Sequence, residues 1–476
     1  MAPVKDAVDH HAAGRSALLM DARRMKILFQ RRLPGFRSDA LRIGDCVIRN
    51  ARYRTSPSEI RKGKPFLAVC YEIQVEEAAS GRQGVQVLLA RAYPAGGSDR
   101  AFEEAKSRPL VPPAFGEGVA RLSNLDFVVW AFPNDPRLPH LPEVIDGEAV
   151  RRHLPYESLP AGFRSSGEVT KIDVYIVRYK PEIRCITRYT LYGGDRGLKC
   201  LTLYGKTFRH ERSRVIARFI ETLSNRSFER PESFIVPPSL GCDDSVKTVW
   251  QMGLAGTPLP EIFDGDNISR FTELAARSLG DLHSLILEGL PHTTIGGILA
   301  SVKAEASLLA QAFPRYRSQL DLITSRLEKE AQYLPACREG LVHGDFLLKQ
   351  LVVHKNRLGI FDFDNLSVGD PTQDLANFLV DLHFGSMSAS QIDAVSSLFL
   401  HSYRTSVDWE MPPARLRWHI AAQFVRSAYH FHKRMHLMRG FEDELQWFLA
   451  LAERCFVEAA PPGDNGRTSK RMALIL

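Results

Sequence analysis

The stretch "LVHGDFLLKQLVV", residues 341–353, decides the fold of this chain together with "LGIFDFDNLSVGDPTQDLANFL", residues 358–379. In each, a short apolar run, which predicts a strand, borders a cluster of polar residues. The first stretch contributes Asp345 and Gln350, and the second contributes Asp362. Carboxylate and amide oxygens are the ligands that Mg²⁺ prefers in proteins. The two stretches are therefore interpreted together, as one candidate site.

The two stretches together resemble the aminoglycoside phosphotransferase and choline kinase-like superfamily of small-molecule kinases. The signature of that superfamily is HGDxxxxN, then a hydrophobic strand with an Asp, then GDPxxDLA. The matching residues here are His343-Gly344-Asp345, Gln350, Asp362, Gly369-Asp370-Pro371 and Asp374-Leu375-Ala376. Gln350 departs from the usual Asn. Sugar kinases of the maltokinase type have a similar HGDxxxxQ loop, so the longer amide does not argue for a dead enzyme.

The resemblance implies a role for each polar residue of the motif. Phosphoryl transfer needs strict positioning and a carboxylate that accepts the proton of the acceptor hydroxyl, which implies Asp345 as the base. Asp362 and Gln350 are implied as Mg²⁺ ligands, while His343 orients the loop. Asp364 is either an auxiliary metal ligand or a solvated loop carboxylate. Two further carboxylates are expected to shape the loop and cap the next helix, namely Asp370 and Asp374.

ATP binding is implied for an earlier, β-rich part of the chain. Lys206, at the end of the strand "LYGKTF", resembles the phosphate-pairing lysine of the superfamily, and its helix partner is either Glu211 or Glu221. A compact glycine-rich phosphate loop is missing, and "LYGGDRG" (191–197) is the flexible hairpin nearest to its place. The backbone expected to pair with adenine lies in "VWQMGLAG" and comprises Gln251, Met252 and Gly253.

The N-terminal half of the chain contains an internal sequence repeat. Residues 51–147 and the stretch that begins at Val177 share landmarks in one order: Arg52-Tyr53 with Arg178-Tyr179, Tyr71 with Tyr189, Val129-Trp130 with Val249-Trp250, and Leu141-Pro142-Glu143 with Leu259-Pro260-Glu261. Such self-similarity indicates a duplicated unit rather than a chance repeat of Val-Trp. The first copy has Ala90-Arg91 where the second has Gly205-Lys206. It is therefore interpreted as a degenerate lobe without ATP, which docks on the catalytic unit, shapes the acceptor pocket or is a plain structural extension.

These patterns predict an α+β, protein-kinase-like fold with a β-rich nucleotide lobe and a helical lobe, preceded by the degenerate lobe. Apolar residues at three- and four-residue intervals after about Asp266 indicate the helices. The predicted segments are a helical extension (1–40), the degenerate lobe (41–150), the nucleotide lobe and its connection (151–265), the helical catalytic lobe (266–460) and a disordered tail (461–476).

Composition excludes several other classes. The formal net charge of +7 is spread over 62 basic and 55 acidic side chains without a dense basic block, so no nucleic-acid partner is expected. An apolar run long enough to span a bilayer is missing, as is a secretory leader, which predicts a cytoplasmic protein without a membrane partner. The seven cysteines are widely spaced without a C-x-x-C pair, which argues against a zinc site or a disulfide framework.

The sequence therefore predicts ATP- and Mg²⁺-dependent phosphorylation of a hydroxyl on a small metabolite. The helix "LRWHIAAQFVRSAYHFHKRMH" is rich in aromatic, His and basic residues, and a pocket lined this way suits a sugar better than a polycation. Core packing is the alternative reading of that helix. A nucleotide-binding pseudokinase remains the alternative function. A Ser/Thr protein kinase is disfavoured because no Ala-Pro-Glu segment follows Asp362.

Overall fold

The computed structural model describes residues 15–53, 62–193, 199–229, 234–435 and 441–456. The predicted tail at 461–476 and most of the hairpin at 191–197 lie outside the described residues. The chain has the predicted α+β composition and divides into two compact units. Unit 1 comprises Met1–Ala217 with Leu240–Gln251, and unit 2 comprises Arg218–Ser239 with Met252–Leu476.

Unit 1 contains a first five-stranded sheet with the order β1-β2-β3-β5-β4. Its elements are α1 (Ala22–Arg32), β1 (Leu41–Tyr53), β2 (Leu67–Glu77), β3 (Gln83–Ala92), α2 (Gly97–Lys106), β4 (Val119–Leu122), β5 (Phe127–Ala131) and α3 (Leu141–Ile145). Alternating apolar residues place one sheet face in a core, against which Met25 and Phe29 of α1 pack. The side chain of Asp21 caps α1 by accepting a hydrogen bond from the Arg24 amide at 3.0 Å.

A second five-stranded sheet in unit 1 has the order β6-β7-β8-β11-β10. Its strands are β6 (Val169–Lys180), β7 (Arg184–Gly193), β8 (Lys199–Phe208), β10 (Ser239–Asp243) and β11 (Thr248–Met252). The helix α4 (Ser213–Glu229) lies between β8 and β10 in the chain. The two sheets share one topology. The first three strands of each (β1-β2-β3 and β6-β7-β8) are neighbours in chain order. The last strand (β5 or β11) pairs with the third, and the strand before it in the chain (β4 or β10) lies at the edge of the sheet. A helix separates the third strand from the fourth in each case.

The pairing register is the same in the two copies at the tyrosine landmarks. Tyr71 pairs with Leu88, three residues before Arg91, and Tyr189 pairs with Leu203, three residues before Lys206. Both tyrosines are fully buried, and so are the two tryptophans on the last strands, Trp130 and Trp250. Leu141 and Leu259 each begin a short helix with proline in its first turn, namely α3 and α5 (Leu259–Ile262).

Within unit 1, the first copy docks on the second around one buried carboxylate. Glu182, in the turn between β6 and β7, forms ion pairs with Arg52, Arg91 and Arg137 of the first copy, the last at 3.7 Å. The side chain of Glu182 is only 2% exposed. Within unit 1, these ion pairs therefore join the first copy to the turn that precedes β7 of the second sheet.

Unit 2 is mainly helical, with two small sheets among the helices. The helices are α5, α6 (Asn267–His283), α7 (Ile295–Ala312), α8 (Arg317–Ala331), α9 (Thr372–Asp381), α10 (Ala389–Ser406), α11 (Pro413–Met435) and α12 (Phe441–Arg454). One sheet has the order β12-β15-β16-β9, formed by β12 (Thr257–Pro258), β15 (Leu351–His354), β16 (Arg357–Ile360) and β9 (Phe234–Ile235). The other has the order β13-β17-β14, formed by β13 (His292–Thr293), β17 (Ser367–Gly369) and β14 (Gly340–Val342). The predicted strand-rich region within the helical half is therefore present. None of the helices that the structure describes is long and apolar enough to cross a membrane.

Candidate active site

The HGD loop begins where β14 ends, and buried polar contacts hold its first residue in place. His343 is fully buried, and its Nε2 atom lies 2.8 Å from the carbonyl oxygen of Phe361. Phe361 directly precedes Asp362, so this contact joins the two loops of the motif. The contact is consistent with the predicted orienting role of His343.

Gly344 is required by the path of the backbone. Its φ angle is +79°, in the left-handed region that side chains rarely adopt. A Cβ atom at this position would lie 2.7 Å from the carbonyl oxygen of Asn365. The absence of a side chain therefore lets the HGD loop lie directly against the segment that follows Asp362.

Asp345, Gln350 and Asp362 converge, as the sequence predicts. The Nε2 atom of Gln350 donates to Asp345 Oδ2 at 3.3 Å and to Asp362 Oδ2 at 3.2 Å. Gln350 ends a 3₁₀ turn, Leu348–Gln350, and is 8% exposed. Asp362 has a φ angle of +67°, an unusual conformation for a residue other than glycine. Such backbone outliers concentrate at functional sites.

The electrostatic environment makes Asp345 a stronger base than an ordinary aspartate. Burial raises its pKa, and the charge of Asp362 adds to the increase, while Lys349, His343 and the Gln350 amide oppose it. A carboxylate with a raised pKa accepts a proton more readily, which is the property required of a general base.

One face of α9 holds both ends of the HGD loop. Asp374 accepts hydrogen bonds from the backbone amides of His343 at 2.6 Å and Gly344 at 2.9 Å. Asp381 accepts one from the Leu348 amide at 2.8 Å. The two carboxylates are seven residues apart, so they lie on the same side of the helix. Asp381 was missed in the sequence. The signal for it was a second Asp seven residues after Asp374, at the end of the same helix.

The Asp374 carboxylate is charged despite complete burial. Burial opposes ionisation, but hydrogen bonds from His283 and the His343 backbone hold the pKa of Asp374 below its usual value. The Nε2 atom of His283 lies 3.3 Å from Asp374, and its Nδ1 atom lies 2.8 Å from the Tyr403 hydroxyl. Asp374 therefore shapes the loop as expected, although it does not cap the helix.

Asp370 accepts the hydrogen bond of the first backbone amide of α9. Its Oδ1 atom accepts from the Thr372 amide at 3.0 Å and from the Thr372 hydroxyl at 2.7 Å. Its Oδ2 atom contacts Arg415 at 2.7 Å and His419 at 3.1 Å. Burial works against its charge, yet His419, Thr372 and Arg415 hold the pKa of Asp370 far below its usual value. Asp370 therefore bonds the first residue of α9, but the N-cap position itself is Pro371, which has no side-chain cap.

The donor set at the convergence of Asp345, Gln350 and Asp362 fits Mg²⁺. Two carboxylates and an amide supply hard oxygen ligands, and Mg²⁺ retains several of its waters. No cluster of three or more His, Cys, Asp or Glu side chains able to hold a metal occurs among the described residues. Asp364 is half-buried in the turn Phe363–Asn365, and its role remains a prediction.

The residues predicted to bind nucleotide lie on or next to the second sheet and its continuation. Lys206 is half-buried near the end of β8, with its Nζ atom 5.5 Å from the ring centroid of Phe208. Glu211 is exposed and lies two residues before α4, while Glu221 is exposed on α4 itself. The partner of Lys206 therefore stays open. The segment predicted to contact adenine ends β11 and comprises Gln251, Met252 and Gly253.

The helix proposed for acceptor recognition, α11, packs part of its polar stripe into the core. Trp418 is fully buried and donates to the Leu327 carbonyl at 2.8 Å, and His419 is bound to Asp370. These two residues are therefore structural, in agreement with the interpretation of part of this helix as core packing. Further along α11, Arg426 lies 3.8 Å from Glu305.

Comparison with known proteins gives one family and several similar structures. Residues 236–409, less than half of the chain, match the phosphotransferase enzyme family. No curated protein sequence matches. A choline/ethanolamine kinase family protein from Mesorhizobium loti is 14% identical with a TM-score of 0.41, covering 60% of this chain and 88% of that one. A choline kinase from Cryptosporidium parvum is 12% identical with a TM-score of 0.45, covering 63% and 93%. An ADP-bound aminoglycoside phosphotransferase is 14% identical with a TM-score of 0.42, covering 61% and 95%. Similarity at this level does not specify a substrate.

Proposed function

We propose that this chain is a small-molecule kinase that transfers the γ-phosphate of ATP to a hydroxyl of a small metabolite. The match of residues 236–409 to the phosphotransferase enzyme family supports this proposal. The observation that carries this proposal is the convergence of Asp345, Gln350 and Asp362. The side-chain amide of Gln350 lies within hydrogen-bonding distance of both carboxylates, 3.3 Å from Asp345 and 3.2 Å from Asp362.

Asp345 is the base in this proposal. It accepts the proton of the acceptor hydroxyl, an effect worth roughly 10²–10⁴-fold in rate. Its raised pKa and its attachment to a loop held by Asp374 and Asp381 both suit the role. A loop held at both ends keeps the carboxylate in position, and positioning is the protein's main contribution to phosphoryl transfer.

Asp362 and Gln350 are the side chains that would hold Mg²⁺, with Asp364 as a further ligand in the proposal. Bound Mg²⁺ supplies neutralisation of the phosphate oxygens. A half-turn about the last bond of Gln350 exchanges its amide nitrogen for its oxygen at the same place, because the two atoms are related by that rotation. Lys206 and the backbone from Gln251 to Gly253 are assigned to the nucleotide, with Glu211 or Glu221 as the partner of Lys206.

A sugar or sugar-like compound is the proposed acceptor. On α11, Arg426 and Tyr429 lie close to Glu305, and the charge of Glu305 adds to burial in raising the pKa of Tyr429. An ion pair beside a phenol offers donors and acceptors together, which suits a polyhydroxylated ligand. A polycationic acceptor would instead require a dense group of carboxylates.

The test is a screen for ADP release from ATP over a library of hydroxylated metabolites. Asp345→Asn serves as the blank, and Asp321→Asn, which changes an exposed carboxylate on α8, serves as the matched control. The expected result is turnover of one acceptor class that falls about 10²-fold or more in Asp345→Asn but not in the control. Nucleotide binding without turnover over the whole library would instead support the pseudokinase alternative.

A further inference from the structure

The first copy of the repeated unit contains a cavity of about 960 Å³ that the proposed kinase reaction does not use. Its walls are the end of β3, one face of α2, the end of β5 and the segment from Pro133 to Glu143. Pockets for small molecules usually measure about 300–1,000 Å³, so the space is large enough for a metabolite.

The cavity occupies a meaningful place in the duplicated architecture. Arg91, in its wall, has the register position that Lys206 has in the second copy. Trp130 in the wall corresponds to Trp250, and α2 corresponds to α4. The first copy therefore keeps a cavity on the side of the sheet that, in the second copy, carries the residues assigned to the nucleotide.

Positive charge exceeds negative charge around the cavity. Lys62, Lys64 and Arg100 line it, and among the residues that the structure describes none of the three has an acidic partner. The acidic lining residues are already engaged. Glu104 pairs with Arg108 at 2.9 Å, and Glu143 lies 3.3 Å from His153.

Asp135, the third acidic residue of the lining, is also fully engaged. Its carboxylate accepts from the Tyr179 hydroxyl at 2.6 Å and from the backbone amides of Glu182 and Arg137, both at 2.7 Å. A carboxylate with this many donors is not available to neutralise the neighbouring cations.

The Arg91 guanidinium provides a second, independent sign of a ligand. Its side chain is nine-tenths buried and stacks over Trp130 at 4.9 Å from the ring centroid. One terminal nitrogen pairs with Glu182, but the Nε atom is buried without a hydrogen-bond partner. Since Glu182 serves three arginines, the cavity wall keeps an excess of positive charge. A buried donor without a partner costs stability unless something satisfies it.

We propose that this cavity binds a small organic anion that carries a phosphate group, at a site separate from the phosphotransfer centre. Lys64 and Arg100 contact the phosphate, and the apolar part of the ligand lies against Tyr93 and Leu110. The ligand binds without a metal ion, because each carboxylate of the described lining is already bonded to a donor. A phosphorylated sugar fits this chemistry, and a neutral sugar does not.

Isothermal titration with glucose 6-phosphate, without ATP or Mg²⁺, tests the proposal, with glucose as the neutral counterpart. Arg100→Ala weakens binding about tenfold, since a hydrogen bond to a charged group contributes about that much. The double variant Lys64→Ala with Arg100→Ala brings binding below detection. Arg42→Ala, which removes an exposed charge from β1, and Lys206→Ala both bind like the wild type.

Three results overturn the proposal. One is the absence of heat from glucose 6-phosphate at millimolar concentration. Another is equal weakening by Arg42→Ala and Arg100→Ala, which shows only a general response to net charge. The third is loss of binding in Lys206→Ala with full retention in Arg100→Ala. Both Lys64 and Arg100 are exposed, so their replacement leaves the fold intact, and the melting temperature verifies this. Because the titration measures binding alone, its outcome is independent of kinase activity.

Discussion

Replacing Gly344 by alanine tests whether a close backbone approach holds the two motif loops together. The φ angle of +79° costs an alanine about 1–2 kcal/mol. The added Cβ also meets the Asn365 carbonyl oxygen at 2.7 Å and the Asn365 Cβ at 2.9 Å. Because a backbone oxygen cannot rotate away, this overlap costs a further 1–3 kcal/mol or so. We therefore expect Gly344→Ala to lower the free energy of unfolding of unit 2 by about 2–5 kcal/mol.

Two other glycines of unit 2 separate the conformational cost from the steric one. Gly265 has a φ of +46° with nothing within 4 Å of an added Cβ, so Gly265→Ala measures the conformational cost alone. Gly296, in the first turn of α7, has neither feature, and Gly296→Ala is expected to stabilise by about 0.4–1 kcal/mol. The expected order of stability is therefore Gly296→Ala, wild type, Gly265→Ala and Gly344→Ala.

Hydrogen exchange at increasing urea concentration is the suitable assay, because peptides from unit 2 report its opening separately from that of unit 1. Gly344→Ala should also lower kcat/KM about 10²-fold, since a shift of about 1 Å at a reacting group has that effect. A Gly344→Ala protein no less stable than Gly265→Ala would refute the role of the contact with Asn365.

The remaining predictions concern two carboxylates, that of Asp345 in the HGD loop and that of Asp374 on α9. Burial raises the pKa of Asp345, so the charged carboxylate destabilises the folded state at pH values above its folded-state pKa. Below the unfolded-state pKa the group is protonated in both states, and this cost is absent. Asp345→Asn should therefore raise the urea midpoint near neutral pH, and the increase should vanish in acid. The acid limb of kcat/KM should lie above the ordinary aspartate value of 3.8, and a pH profile with a limb at or below it would argue against Asp345 as the base. Asp374→Ala leaves the buried amides of His343 and Gly344 without their acceptor and should cost about 3–5 kcal/mol by urea titration, whereas Asp321→Ala should stay within about 0.5 kcal/mol of wild type.

Much of the site was accessible from local sequence because its residues lie close together along the chain. The interval from His343 to Asp362 contains the proposed base, both proposed metal ligands and the two strands that join them. Short strands border tight turns, and turn residues such as Gly344 have recognisable requirements. The pattern therefore predicted the convergence of Asp345, Gln350 and Asp362 correctly.

Other features escaped because they join residues far apart in sequence. The bond from Asp381 to the Leu348 amide spans 33 residues, and the ion pair of Arg91 with Glu182 spans 91. The polar side chains of α11 show the same limitation. Periodicity placed Trp418 and His419 on a helix, but only packing determined that both are buried.

The amino-acid sequence by itself determined the α+β class, the repeated front end and the identity of the loop that carries Asp345, Gln350 and Asp362. These follow from side-chain periodicity and turn chemistry, which act over a few residues. Tertiary structure alone decided that α9 holds both ends of that loop and that the first copy contacts Glu182. It also decided that cations line the cavity of the first copy without an acidic partner among the described residues. Such arrangements depend on which distant side chains share a low-dielectric interior, and no local pattern encodes that partnership.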